Sequence, residues 1–152
     1  MYSISLYIRS MALLDKQLII KKSTIPNAGK GLFTKVFIPK GTRIIEYKGR
    51  ITTWKEVLKG DSFNGYVYYV KASHVIDGLK DLKALARYAN DAKGLSKTVG
   101  ITNNSIYEED GLKVFIVAKK DIPAGGEILV PYGKEYWDVI RQNIKIDKAA
   151  KR

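Results

Sequence analysis

Apolar and polar positions alternate in this chain over short stretches separated by Gly and Pro, and few stripes have helical spacing. Residues Gly31 to Phe37 read as a strand and Thr42 to Tyr47 as the returning one. Between them Ile38-Pro39-Lys40-Gly41 predicts a tight turn with Pro at its second position and Gly at its fourth. The arrangement recurs at Lys113 to Lys119, Ile122-Pro123-Ala124-Gly125 and Glu127 to Tyr132, which predicts two similar hairpins rather than a repeat array. Val114-Phe115-Ile116-Val117-Ala118 is apolar on both faces, so it belongs between packed layers. Phe63 to Val70 and His74 to Ile76 also read as strands, the first rich in Tyr and Val.

Helical signals are fewer. Thr53 to Leu58 predicts a short helix capped by Thr52 or Thr53, because Thr53 with Glu56 fits a capping box. Leu79, Leu82, Leu85, Ala86 and Ala89 share one helical face, and a helix there would deliver Arg87 to Asp91 into the interior. Lys93 to Asn104 has no period and reads as loop, whereas Tyr136 to Ile146 predicts a terminal helix covering the end of a sheet. A β-rich order of this kind leaves little room for a parallel nucleotide-binding sheet.

Composition narrows the chemistry. A chain of 152 residues with 45% apolar and 28% charged residues is sized and composed for one core without staples. With no Cys and one His, disulfides, Cys-ligated zinc, iron–sulfur clusters, cysteine nucleophiles and two-His metal sites are excluded, and no metal is expected. The net charge of +12 invites nucleic-acid contact, but the basic residues are scattered apart from Lys145 to Arg152, and no finger, zipper or helix-turn-helix spacing occurs. Nucleic acid is therefore expected only as an accessory partner. No apolar run approaches the ~20 residues of a membrane span, so a soluble chain is expected. Met1 to Leu14 carries Arg9 and leads to no small-residue cleavage site, so no signal peptide is read there, and Met11 is an alternative start.

Taken alone, Gly29-Lys30-Gly31 is a turn, since Thr34 stands where a dinucleotide fingerprint needs its third glycine, and no Walker A sequence exists. His74 has no Ser nucleophile motif or second His beside it and reads as a strand-end residue. In order, however, Ala28-Gly29-Lys30-Gly31-Leu32-Phe33, Glu46-Tyr47-Lys48-Gly49, Leu85-Ala86-Arg87-Tyr88-Ala89-Asn90-Asp91 and Val117 through Val130-Pro131-Tyr132-Gly133 form a constellation. It resembles the SET domain, whose G-x-G, Y-x-G, R-F-x-N-H and E-L-x-x-D-Y-G segments match in order across about Leu18 to Trp137. The resemblance implies a mainly β fold of several small sheets with short helices, in which the third-motif segment and the chain end pass in a pseudoknot. On that basis 1–16 is an N-terminal extension, 17–142 the SET domain and 143–152 a basic tail.

The resemblance also implies protein-lysine N-methylation with S-adenosylmethionine as cofactor. Tyr132 matches the family's catalytic tyrosine, which orients the amine, and Tyr47 would line the lysine tunnel. The backbone from Ala28 through Lys30 and Gly31 to Phe33, with Asn90 and Asp91, would hold the cofactor, and Trp137 would stack on its adenine. Arg87 reads as one member of a structural ion pair. Either Val130 or Tyr107 would gate the tunnel and so set the number of methyl groups added. Glu108, Glu109 and Asp110 would form an acidic rim for a basic peptide, the alternative being a solvated turn before Gly111.

Three departures mark this sequence: Asp91-Ala92 replaces His-Ser-Cys, Asn103-Asn104 after a longer loop replaces Pro-Asn, and no Cys follows Trp137. A Cys-ligated post-SET zinc segment is therefore not expected, and Tyr136, Trp137 and the terminal helix would close the site instead. The implied partner is a protein with an accessible lysine, a histone or another basic DNA-associated protein among them. Two rival readings stay open: a SET-fold binding module without turnover, and a basic nucleic-acid-binding β protein.

Overall fold

A computed structural model describes residues 13–60, 64–94 and 98–150. Their strands form three small antiparallel sheets. In the first, β1 (Leu18–Lys22) and β9 (Glu127–Ile128) flank β2 (Lys30–Thr34). In the second, β3 (Arg43–Glu46) and β7 (Ser105–Asp110) flank β8 (Lys113–Ala118), and in the third, β4 (Arg50–Thr52) and β5 (Val67–Lys71) flank β6 (His74–Asp77). As its unbroken apolar run predicts, β8 is central, and Val114 to Ala118 are all buried. Val114, Ile116 and Ala118 join Leu32, Ile38, Ile44, Ile122, Ile128 and Val130 in the main core.

The two Ile-Pro-x-Gly segments do not close hairpins on themselves. The strands around them pair crosswise, β2 with β9 and β3 with β8, and the segments meet at an Ile38–Ile122 bridge with both backbone bonds at 2.8 Å. The turns also sit one residue later than expected. Thr42 donates to the Pro39 carbonyl and Gly126 to that of Pro123, which puts Gly41 and Gly125 third in their turns with φ of +90° and +84°. Glycine takes that conformation without a steric penalty. Each segment is thus a corner that passes its chain from one sheet to the next. Crosswise pairing buries both isoleucines, Ile38 at 0% and Ile122 at 1% exposure, which local hairpins would not require.

Helix α1 (Trp54–Leu58) is capped as expected, Glu56 N–H donating to Thr53 Oγ1 at 3.2 Å. The stripe from Leu79 to Ala89 does not become a helix. Only Leu85–Tyr88 forms a 3-10 turn, while Leu79 and Leu82 stay exposed. Arg87 Nη1 donates to the Gly78 and Leu79 carbonyls, at 3.0 and 2.8 Å, and the Gly78 carbonyl also accepts Asp81 N–H in a single turn. Glu108, Glu109 and Asp110 lie on β7 rather than in a turn. The strand expected over Phe63 to Val70 begins at Val67, and Phe63 lies outside the described residues. The described part of Lys93 to Asn104 is loop, as read.

The terminal helix α2 (Lys134–Ala150) runs unbroken through 142 and 143. At the other end, Leu14 N–H donates to the Ile44 carbonyl at 2.9 Å, so the described chain is tied to β3 from its first residues. No helix among the described residues is long and apolar enough to cross a membrane.

Candidate active site

A cleft of about 810 Å³ opens between the loop joining β1 to β2, the edge strand β5, the third-motif segment and the start of α2. The loop is shaped by one buried acid. Glu127 receives Ser23 Oγ at 2.6 Å on Oε1, and Thr24 N–H at 2.9 Å and Thr24 Oγ1 at 2.5 Å on Oε2. A carboxylate can accept all three donors, and charge-assisted bonds of this kind are the strong ones. They tie the loop down so that Ala28, Gly29 and Lys30 line the cleft. Gly31 makes this possible, because a Cβ there would lie 2.3 Å from Glu127 Oε1.

The third-motif segment crosses the chain end as a pseudoknot requires. Asn90 forms a parallel bridge with Leu129, and its carbonyl accepts Val130 N–H at 2.9 Å. On the other side, the Leu129 carbonyl accepts the N–H groups of Asn104 and Ser105, and Leu129 N–H donates to Asn104 Oδ1. Residues 127–130 are therefore held between 90 and 104–105. The Asn90 amide reaches across to the Lys30 carbonyl at 2.9 Å, joining the first motif to the third at the cleft wall.

Asp91 is 6% exposed and its carboxylate is saturated. Lys93 N–H and Asn103 Nδ2 donate to Oδ1 at 2.8 and 2.9 Å, while Tyr132 N–H and Trp137 Nε1 donate to Oδ2 at 2.9 and 2.7 Å. Asn103 completes the neck of the loop by accepting Ala92 N–H at 2.8 Å.

The aromatic lining falls into two clusters. Tyr47, Tyr68 and Tyr107 meet with centroid separations of 5.4 to 6.2 Å, mostly edge to face. Tyr132 meets Tyr136 at 4.8 Å and lies nearly parallel to Trp137, 15° apart at 5.8 Å. The Tyr47 hydroxyl donates to the Tyr66 carbonyl at 2.7 Å, and that of Tyr132 to the Ala89 carbonyl. Burial pushes the Tyr47, Tyr107 and Tyr132 phenols well above their ordinary range. Tyr68 is pushed up to about 12, by burial first and then by the Glu109 carboxylate that accepts its hydroxyl at 3.3 Å. All four phenols are neutral hydrogen-bonding groups at neutral pH.

Of the residues expected from sequence, the cleft gathers Ala28, Gly29, Lys30, Tyr47, Asn90, Asp91, Tyr107, Tyr132, Tyr136 and Trp137. It does not gather the rest. Gly31 packs on Glu127, and Phe33 is 3% exposed with Lys21 Nζ 4.4 Å above its ring. Val130 is fully buried in the core, whereas Tyr107 lines the cleft. The acidic rim divides by strand period. Glu108 and Asp110 face Arg43, at 3.6 and 3.1 Å, and Glu109 turns to Tyr68 on the cleft side. Arg87 has no carboxylate partner among the described residues. Besides its two carbonyls it lies 4.1 Å above the Tyr66 ring, where a planar guanidinium stacks well.

Sequence reasoning missed Glu127, Tyr66 and Tyr68. Glu127 had a signal, an acid opening the apolar run Ile128-Leu129-Val130. No group of acidic, His or Cys side chains suited to a metal occurs among the described residues.

A family model described as the SET domain matches residues 29–133. A histone-lysine N-methyltransferase, set-17 of Caenorhabditis elegans, is 32% identical over 121 residues, 77% of this chain. The chain spans 41% of that relative's length. Among solved structures, a humanized mutant of the Chaetomium thermophilum Polycomb Repressive Complex 2, bound to the inhibitor GSK126, superposes with a TM-score of 0.62 at 25% identity. That match covers 80% of this chain and 15% of the other.

Proposed function

The chain belongs to the SET-domain family, and from that premise we propose that it is an S-adenosylmethionine-dependent protein-lysine N-methyltransferase. One observation carries the reading. The tyrosines of the second and fourth motifs, Tyr47 and Tyr132, share a cleft with Asn90 of the third and the backbone of the first, although up to 104 residues separate them in sequence.

The cleft suits the cofactor. Its volume of about 810 Å³ falls within the range of small-molecule sites, roughly 300–1,000 Å³. Its lining combines backbone groups of Ala28 and Lys30 and the Asn90 side chain, for an amino-acid end, with aromatic rings, for a base. Trp137 lies in this lining, its ring packed beside Tyr132, Tyr136 and Gly94, and is the indole offered to a base. When bound, S-adenosylmethionine supplies an electrophilic methyl group on a cationic sulfur.

The residues then have to deliver a neutral amine. An unperturbed lysine has a pKa of about 10.4, and the apolar rings of Tyr47 and Tyr107 disfavour its charged form. The Tyr132 hydroxyl donates its hydrogen bond to the Ala89 carbonyl, so its oxygen keeps lone pairs for an amine N–H and orients the nitrogen. Held neutral by burial, it works as an orienting group rather than as a free base. Tyr107, placed in the cleft where Val130 is not, is the gate that restricts further methylation.

The substrate class is a protein presenting an exposed lysine, a histone or other basic chromosomal protein being the model suggested by the relative's name. Isothermal titration with S-adenosylmethionine tests the cofactor assignment. Wild type binds, and Asn90→Ala weakens binding more than His74→Ala. Absence of binding by folded wild type overturns the proposal.

A further inference from the structure

Tyr132 is held from three directions, and two of them lead to a single carboxylate. Its N–H donates to Asp91 Oδ2, its ring lies parallel to the Trp137 indole, and that indole donates Nε1–H to the same oxygen. The third hold is its hydroxyl on Ala89, two residues before Asp91 on the same segment. We propose that Asp91 is the positioning residue of the site, a clamp that fixes Tyr132 through its backbone and through Trp137 at once, rather than a ligand for the cofactor.

The acceptor count supports a clamp over a ligand. An ionised carboxylate offers about four lone-pair sites, and four donors occupy them here. None is left for a bound molecule. An amide would turn an NH₂ group toward one donor pair, and a neutral imidazole has one acceptor nitrogen, so neither can serve all four. The same oxygen also joins two elements that the chain connects only through Gly133, the end of the threaded segment and the start of α2. Swinging that helix away from the cleft would break the indole bond and uncover the Tyr132 ring.

This inference rests on the reading of Tyr132 as the amine-orienting group, and its test separates the two. In a Trp54→Phe background Trp137 is the only tryptophan, so its fluorescence reports the indole bond directly. Asp91→Asn is expected to shift that emission to the red. Methyl transfer by Asp91→Asn should show kcat at least about tenfold lower with the cofactor KM little changed. Trp137→Phe, which keeps the other three bonds to Asp91, should also lower kcat, with whatever change in cofactor KM the loss of the indole brings, and serves if Asp91→Asn does not fold. The double variant should be no slower than the slower single, because both remove one unit. An unshifted emission overturns the clamp, as do losses that multiply in the double variant. If the parent protein transfers no methyl group, the functional reading fails while the emission still decides whether Asp91 holds Trp137.

Discussion

On one side of the cleft Tyr47, Tyr68 and Tyr107 are carried by or flank strands of two sheets, whereas on the other Tyr132, Tyr136 and Trp137 sit on the segment between β9 and α2 and on the first turn of α2. The first cluster is supported redundantly, by ladder hydrogen bonds and by ring-on-ring contact. The second has ring-on-ring contact but no ladder, and Tyr132 and Trp137 are anchored through one buried acid, Asp91, and the Ala89 carbonyl of the same distant segment. Ladders tolerate the loss of one side-chain bond, because each strand is fixed by several backbone pairs. A saturated carboxylate does not, since removing it leaves every donor unpaired in a poorly solvated place.

Unequal costs follow for substitutions that look alike. The largest effect is expected on the acid-held side of the site. Glu127→Ala strands the Ser23 and Thr24 donors and should destabilise the protein by about 3 kcal/mol in urea unfolding, while weakening cofactor binding through the loosened loop. A cost near that of an exposed substitution would break the comparison. On the strand side, Tyr47→Phe removes one hydroxyl bond to Tyr66 and should cost about 1 kcal/mol with the cleft otherwise kept.

The strand side also has a signature in pH. The folded state holds the Tyr47 and Tyr107 phenols above their ordinary value of 10, so as pH rises past 10 the unfolded chain loses phenolic protons first. Their contribution is complete below pH 10 and is lost as pH climbs toward the folded values. Melting temperature should therefore fall above pH 10, less steeply in Tyr47→Phe than in wild type.

Much of this arrangement was legible in the sequence because it is local or motif-borne. The capped helix at Thr53 and the buried run Val114 to Ala118 needed only spacing and composition, whereas the tyrosines at 47 and 132 were singled out by the resemblance of their motifs to the SET domain. Pairing between distant segments was not legible. Ile38 could not announce Ile122 as its partner, nor Glu127 Ser23 across 104 residues, since turn chemistry specifies a reversal but not which strand receives it. The Leu79 to Ala89 stripe misled for a related reason, the carbonyls at its start, Gly78 and Leu79, being bonded by the Arg87 guanidinium. The division of Glu108 from Glu109 follows from strand period alone, once the segment is taken as strand rather than turn.

Smaller effects sharpen the strand side further. Tyr107→Phe should leave stability nearly unchanged and move the product distribution toward higher methylation, read by mass spectrometry. An unmoved distribution would remove Tyr107 as the gate. The smallest effect belongs to the rim. Glu109→Lys should raise the KM for a basic peptide about threefold at low salt, and Glu108→Lys, on the Arg43 face, should not.

The account stands or falls on whether the cleft transfers a methyl group and whether the Tyr132 hydroxyl takes part. Incubation with labelled S-adenosylmethionine and a panel of basic proteins measures both, for wild type and for Tyr132→Phe with cofactor binding checked in parallel. Label should enter lysine side chains with wild type and at least about tenfold more slowly with the variant, a barrier difference of about 1.36 kcal/mol, at nearly equal cofactor affinity. Equal rates in the two proteins, or no label on lysine from a wild type that binds the cofactor, would contradict it.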